Sequence, residues 1–202
     1  MSNEFLLDEI DKEKLLQFCH FVSSSDDWKA TLDKMVTYIR EFFIFDNLVV
    51  YLGDSTIKRM DVLYARAMGR GRSKEADVSW GEDIASRVVA EKKAFIIQPE
   101  NKTASDRLQS PFLLGVPLSI SKEITGVLIF IRFGGPDFEP GSKEFAELMG
   151  TLFASVIRQK TINDYEKELS GLRRSSNLQD DFISTITHEL RNPLGFIRGY
   201  TT

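Results

Sequence analysis

The sequence predicts an α+β fold: an antiparallel sheet flanked by helices, followed by a long C-terminal coiled-coil helix. Three observations carry that expectation. Two stretches of helical period precede any strand-like run. Short β-branched and aromatic runs bounded by turn residues then occupy the middle of the chain. A heptad pattern takes over near the C-terminal end.

Residues 9–22 form the first amphipathic helix, with Leu15, Phe18, Cys19 and Val22 on one stripe. The cluster Ser23-Ser24-Ser25-Asp26 interrupts it and offers N-cap oxygens to a second helix, whose apolar face is Leu32, Met35, Val36, Ile39 and Phe43. Leu48 to Leu52 is the first strand, closed by Gly53-Asp54-Ser55, and Met60 to Ala67 is the second. A basic glycine loop follows, Gly69-Arg70-Gly71-Arg72. Asp83 to Lys92 is helical with Ile84, Val88 and Val89 inward, and Phe95-Ile96-Ile97 is a strand stopped by Pro99. Glu100 to Gln109 reads as a loop with a short helix.

Phe112 to Leu118 is a strand broken by Pro117, and Ile124 to Phe133 is the next. The latter is apolar on both alternating faces, as a central strand covered on two sides would be. Ser121 to Thr125 makes the turn of an antiparallel hairpin. Ser142 is the expected N-cap of a long helix striped by Phe145, Leu148, Met149, Leu152, Phe153 and Val156. Its heptad positions continue through Ile162, Tyr165, Leu169, Leu172, Ser176, Gln179, Ile183, Ile186 and Leu190. Unbroken from Ser142 to Pro193, such a helix is roughly 75 Å long at 1.5 Å per residue. Its heptad part needs a partner helix, and a homodimer is the economical solution.

Composition narrows the chemistry. A chain of 202 residues with 42% apolar content supports one well-packed domain and a small further element. A net charge of −4 and a pI near 5.4 give no global basic field for nucleic acid. The longest apolar run, Val127 to Ile131, is far too short for a membrane span. The start, Met1 to Phe5, lacks signal-peptide character, so a cytoplasmic location is expected. One cysteine, Cys19, rules out an intrachain disulfide framework, and two histidines, His20 and His188, leave no histidine-rich metal centre.

The most informative segment is Phe182 to Leu194, containing Thr187-His188-Glu189-Leu190-Arg191-Asn192-Pro193-Leu194. With Ile183 and Leu190 at heptad position a and Ile186 at d, His188 falls at f, the outermost position. An imidazole there is exposed, close to neutral at physiological pH, and able to act as a nitrogen nucleophile toward a phosphoryl donor. Glu189, on the adjoining flank, can hydrogen-bond the imidazole or accept its proton. Pro193 removes the backbone bond to the Glu189 carbonyl, which places a bend or soft point one turn after His188.

This string strongly resembles the H-box of sensor histidine kinases of two-component systems, on the first helix of their dimerisation and phosphotransfer domain. The resemblance implies that His188 is the phosphoacceptor, autophosphorylated from ATP and discharged to an aspartate on a response regulator receiver domain. It implies that Glu189 is its acid/base partner and that Asn192 orients water for phosphatase activity, with Arg191 and Pro193 serving conformation and docking. The chain departs from the family by ending at Thr202, soon after the proline. The second hairpin helix and the domain that would hold ATP and Mg are missing, and no P-loop or Gly-x-Gly-x-x-Gly pattern stands in their place. The sequence is therefore expected to be a fragment, without cofactors and inactive alone, of a larger histidine protein kinase.

Residues 22–160 resemble a GAF domain. The order helix, strand, strand, helix, strand, loop, hairpin, exit helix carries the resemblance, with three local signatures: Trp80-Gly81 leading the helix into Phe95-Ile96-Ile97, Val116-Pro117-Leu118, and Gly126-Val127-Leu128. The domain organisation expected is an N-terminal helix over 1–21, the GAF sensor over 22–160, a signalling coiled coil over 161–180 and the start of the phosphoacceptor domain over 181–202. Ser176 and Gln179 are weak heptad positions where two packings could be close in energy. A change in the sensor would shift the exit helix near Leu152 to Ile162.

The sensor half is expected to take an apolar or aromatic small molecule as an unknown ligand, to make a protein contact, or to bind no ligand at all. Cys19-His20 is superficially similar to a bilin-tethering pair, but it precedes the first strand and Cys19 belongs to an apolar stripe. Asn101-Lys102 with Asp106 is faintly similar to a cyclic-nucleotide signature that lacks its expected partners, and reads as a solvated loop. Arg70, Arg72 and Lys74 could meet an anion or simply be solvated. Two alternatives stand beside the kinase reading: a non-catalytic dimeric GAF binding module, and a haem- or bilin-binding gas or light sensor.

Overall fold

Helices and strands follow the apolar periodicity closely in the computed structural model, which describes residues 12–25, 27–42, 44–54, 60–68, 81–99, 111–122 and 124–199, the last sixteen as backbone only. The elements are α1 (Lys12–Ser24), α2 (Trp28–Ile39), β1 (Asn47–Asp54), β2 (Met60–Ala67), α3 (Glu82–Glu91), β3 (Phe95–Ile97), β4 (Phe112–Ser119), β5 (Ile124–Arg132) and α4 (Pro140–Gly199). The basic glycine loop at Gly69–Arg72, Lys74, Trp80, the loop with Asn101, Lys102 and Asp106, and Phe43 lie outside the described residues. The chain divides into two units, one ending at Arg158 and the other beginning at Gln159.

The first unit is built on a five-stranded sheet in the order β2-β1-β5-β4-β3, every neighbouring pair antiparallel. β5 is central, and Val127 to Ile131 are fully buried, as its two apolar faces predict. Leu128 and Phe130 join Leu48 and Val50 in a core with Leu32, Met35, Val36 and Ile39 of α2 and Phe145, Met149 and Phe153 of α4. Val127, Ile129 and Ile131 face the other way, against Ile84, Ala85 and Val88 of α3. The sheet thus carries helices on both faces.

β4 is gripped closely from both sides. A Cβ on Gly115 would stand 3.0 Å from Val88 Cγ2 on α3, and one on Gly150 of α4 would stand 3.1 Å from Val116 Cγ2. Glycine at these two positions sets how near each helix lies to the strand.

Four local expectations are corrected. The N-cap of α2 is Asp27, whose Oδ1 accepts from the Lys29 and Ala30 amides at 3.0 and 3.2 Å. The Ser23 and Ser24 hydroxyls instead donate back to the Cys19 and Phe21 carbonyls, so they stay with α1. Pro117 does not break β4, which runs on to Ser119. β3 pairs only with Leu113–Gly115, so β4 is an edge at Pro117 and a missing N–H is tolerated there. Ser142 lies inside α4 rather than at its cap; the helix starts at Pro140, a residue pre-set for the first helical position. Cys19 is only half-buried, beside an exposed His20.

The edge strand β2 is tied to α2 by one acceptor. Asp33 Oδ1 accepts from Tyr64 Oη at 2.6 Å and from Arg66 Nη1. The Tyr64 hydrogen bond, helped by Arg66, holds the Asp33 carboxyl below its ordinary range. No helix among the described residues is long and apolar enough to cross a membrane.

Candidate functional site

The residues singled out for phosphoryl chemistry all stand on α4. His188, Glu189 and Asn192 lie within its helical backbone, with Asn192 one turn beyond His188, and Pro193 is also inside the helix. In the second unit the heptad side chains are unburied: Tyr165, Leu169, Leu172 and Ile183 are each more than half exposed. Leu178 and Phe182 are exposed as well, at 70% and 64%, although the heptad positions leave them out. Each precedes a heptad residue, Gln179 or Ile183, so the apolar surface moves off the seam where Ser176 and Gln179 weaken it.

In the first unit the α3 face of the sheet carries a buried titratable group that sequence reasoning missed. Tyr51 is 4% exposed among Val49, Val127 and Ile129. Burial first, and then the negative charge and hydrogen bond of Glu82, push its hydroxyl up to about 12. Below about pH 10, folded and unfolded chains both keep this proton; between about 10 and 12 only the folded chain does. Stability therefore falls across that window, by about 2 kcal/mol at its top from this residue. Tyr51→Phe is expected to give a shallower loss of stability, read from urea midpoints at about pH 9, 10 and 11. A variant as steep as the parent would contradict the assignment.

Two arginines hold the ends of the sheet. Arg132, the one charge in the β5 run, is 7% exposed and lies over the rings of Phe112 and Phe138 at 4.9 and 4.7 Å. Its Nε and Nη2 have no hydrogen-bond partner among the described residues. Burial pulls its pKa down, opposed by Asp46 and Asp137. At the opposite end, Arg158 of α4 donates from Nε to the Ile120 carbonyl at 3.0 Å and from Nη2 to the Ser119 carbonyl at 2.8 Å. Arg132 had a sequence signal, a charge closing an otherwise apolar strand; Arg158 had none.

Cys19 and His20 sit on α1, and no group of three His, Cys, Asp or Glu side chains among the described residues is placed to hold a metal ion. The structure brings His188, Glu189 and Asn192 onto one element; it brings neither Cys19 nor His20 to the sheet's α3 face.

Comparison with known proteins places this geometry. The family model for the GAF domain matches residues 27–157. No curated protein matches the chain. Among solved structures, the GAF domain of an Acinetobacter phosphoenolpyruvate-protein phosphotransferase is 20% identical, with a TM-score of 0.54 over 80% of this chain and 97% of that one. The GAF domain of the corresponding Coxiella burnetii protein is 14% identical, with a TM-score of 0.55 over 82% and 99%. The GAF domain of a protein assigned as a sensor histidine kinase in Pseudomonas syringae pv. tomato is 10% identical, with a TM-score of 0.54 over 76% and 89%.

Proposed function

Because the chain belongs to the GAF domain family, a family of sensory modules, we propose that it is the sensory part of a two-component histidine kinase. In this reading the GAF domain responds to a signal and controls ATP-dependent phosphorylation of His188, followed by transfer to an aspartate of a response regulator. The observation that carries the reading is the string Thr187 to Leu194, on helix α4 after the sensor sheet.

The chemistry follows from the side chains. A neutral imidazole nitrogen of His188 attacks the γ-phosphorus of ATP; an N–P bond forms and the P–O bond to ADP breaks. The proton released from the ring passes to Glu189, the neighbouring carboxylate. Asn192, one turn on, orients water when the phosphoryl group is hydrolysed instead. No ATP-binding motif stands in these 202 residues, so ATP and its Mg are held by a separate catalytic domain. The exposed Leu169 and Leu172 support pairing of two α4 helices in a homodimer.

Incubation of the chain with ATP and a histidine-kinase catalytic domain, joined to it or added in trans, is expected to label His188. His188→Gln should lose that label entirely. Undiminished histidine phosphorylation in the variant would sink the assignment and leave the dimeric binding module as the better description.

A further inference from the structure

A cleft of about 720 Å³, open to solvent, lies at the hairpin end of the sheet. Its size falls within the roughly 300–1,000 Å³ of small-molecule sites. Val88, Val89 and Pro117 give it an apolar wall, and three cations stand around it: Lys92 after α3, Lys122 in the β4–β5 turn and Arg158 on α4. No acidic side chain among the described residues lines it. Among the described residues none of the three cations has a carboxylate partner there, whereas Arg66, Arg87 and Lys160 are each paired.

No carboxylate among the described residues therefore balances this charge. Arg158 spends two donors on the Ser119 and Ile120 carbonyls, which do not neutralise it. The C-terminal carbonyls of α3 contribute about half a negative charge against three positive ones. Lys92 itself occupies a left-handed backbone position, φ 52°, where a helix usually ends on glycine. A long cation stands where the backbone would more readily accept no side chain.

We propose that this cleft is a binding site for a small organic anion, a carboxylate or phosphoester joined to an apolar body. The head group sits among Lys92, Lys122 and Arg158, and the body lies on Val89 and Pro117. The occupant competes with the Ser119 and Ile120 carbonyls for Arg158, and so alters the hold of α4 on the hairpin. The proposal rests on the sensory reading of the GAF domain and not on the chemistry of His188.

The test is an amide NMR titration of the 202-residue chain with phenylbutyrate and with phenyl phosphate, and with phenylbutyramide as the neutral control. At least one anion should give saturable shifts at Val88, Val89, Lys92, Ser119 and Lys122, with the amide at least about fivefold weaker. Lys122→Ser should weaken the anion about fivefold, and Lys92→Gly similarly while its Tm does not fall, since glycine relieves the backbone. Whichever anion binds identifies the head group. The site is refuted if neither anion gives saturable shifts in the cleft below about 10 mM. It is equally refuted if the amide binds as tightly or if both variants keep full affinity. Labelling of His188 alongside an empty cleft would retire the site and keep the kinase reading; the reverse result would do the opposite.

Discussion

Phe130→Ala is expected to lower the unfolding free energy by about 3–5 kcal/mol, the range for a large aromatic deleted from a core that cannot collapse around the gap. Phe130 is fully buried on the central strand and meets the Phe45 ring edge-on at 5.3 Å. Its neighbours on both sides are paired strands, Leu48 opposite it on β1 and Leu114 on β4, which hold the backbone in place. The helix-side core also contains Phe145, Met149 and Phe153 of α4, so the cavity loosens the seat of the exit helix as well. Urea unfolding followed by circular dichroism gives the midpoint. A loss below about 1 kcal/mol would mean that the neighbours refill the space, and that the core is softer than its burial indicates.

Leu169→Asp together with Leu172→Asp is expected to dissociate the proposed homodimer while leaving the GAF sheet folded. Both leucines are more than half exposed in the single chain, at 55% and 62%, and both lie on the heptad seam. Burying what remains exposed, for both leucines in both chains, is worth about 4 kcal/mol, close to a thousandfold in Kd. Four carboxylates placed face to face add repulsion to that loss. Sedimentation velocity of parent and variant measures it. A parent that stays monomeric at tens of micromolar, or a variant that still dimerises, would remove the coiled-coil argument.

Much of the fold was legible because its signals are local. Two-sided apolar character marked β5 as central, single-sided stripes marked α2 and the first turns of α4, and turn residues marked the β4–β5 hairpin. The misplaced boundaries share one cause. Ser23, Ser24, Asp27, Pro117 and Ser142 are residues whose effect depends on which backbone groups are still unsatisfied once neighbours arrive. Ser23 turned back into α1, and Pro117 was tolerated because β3 is too short to reach it. Leu178 and Phe182 escaped notice because a heptad template counts only its own seam.

By itself, then, the sequence determined the order of elements, the double covering of β5, the helical spacing of His188, Glu189 and Asn192, and the membership signalled by Val116-Pro117-Leu118 and Gly126-Val127-Leu128. Tertiary structure decided the rest: which face each helix takes, the burial that raises Tyr51, the ring stack on Arg132 and the carbonyl grip of Arg158. The cleft belongs to this second group, since Lys92, Lys122 and Arg158 are separated along the chain and meet only through the β4–β5 register and the packing of α3 and α4. Periodicity records whether a residue is buried. Which residues surround it depends on long-range pairing, and no local window contains that.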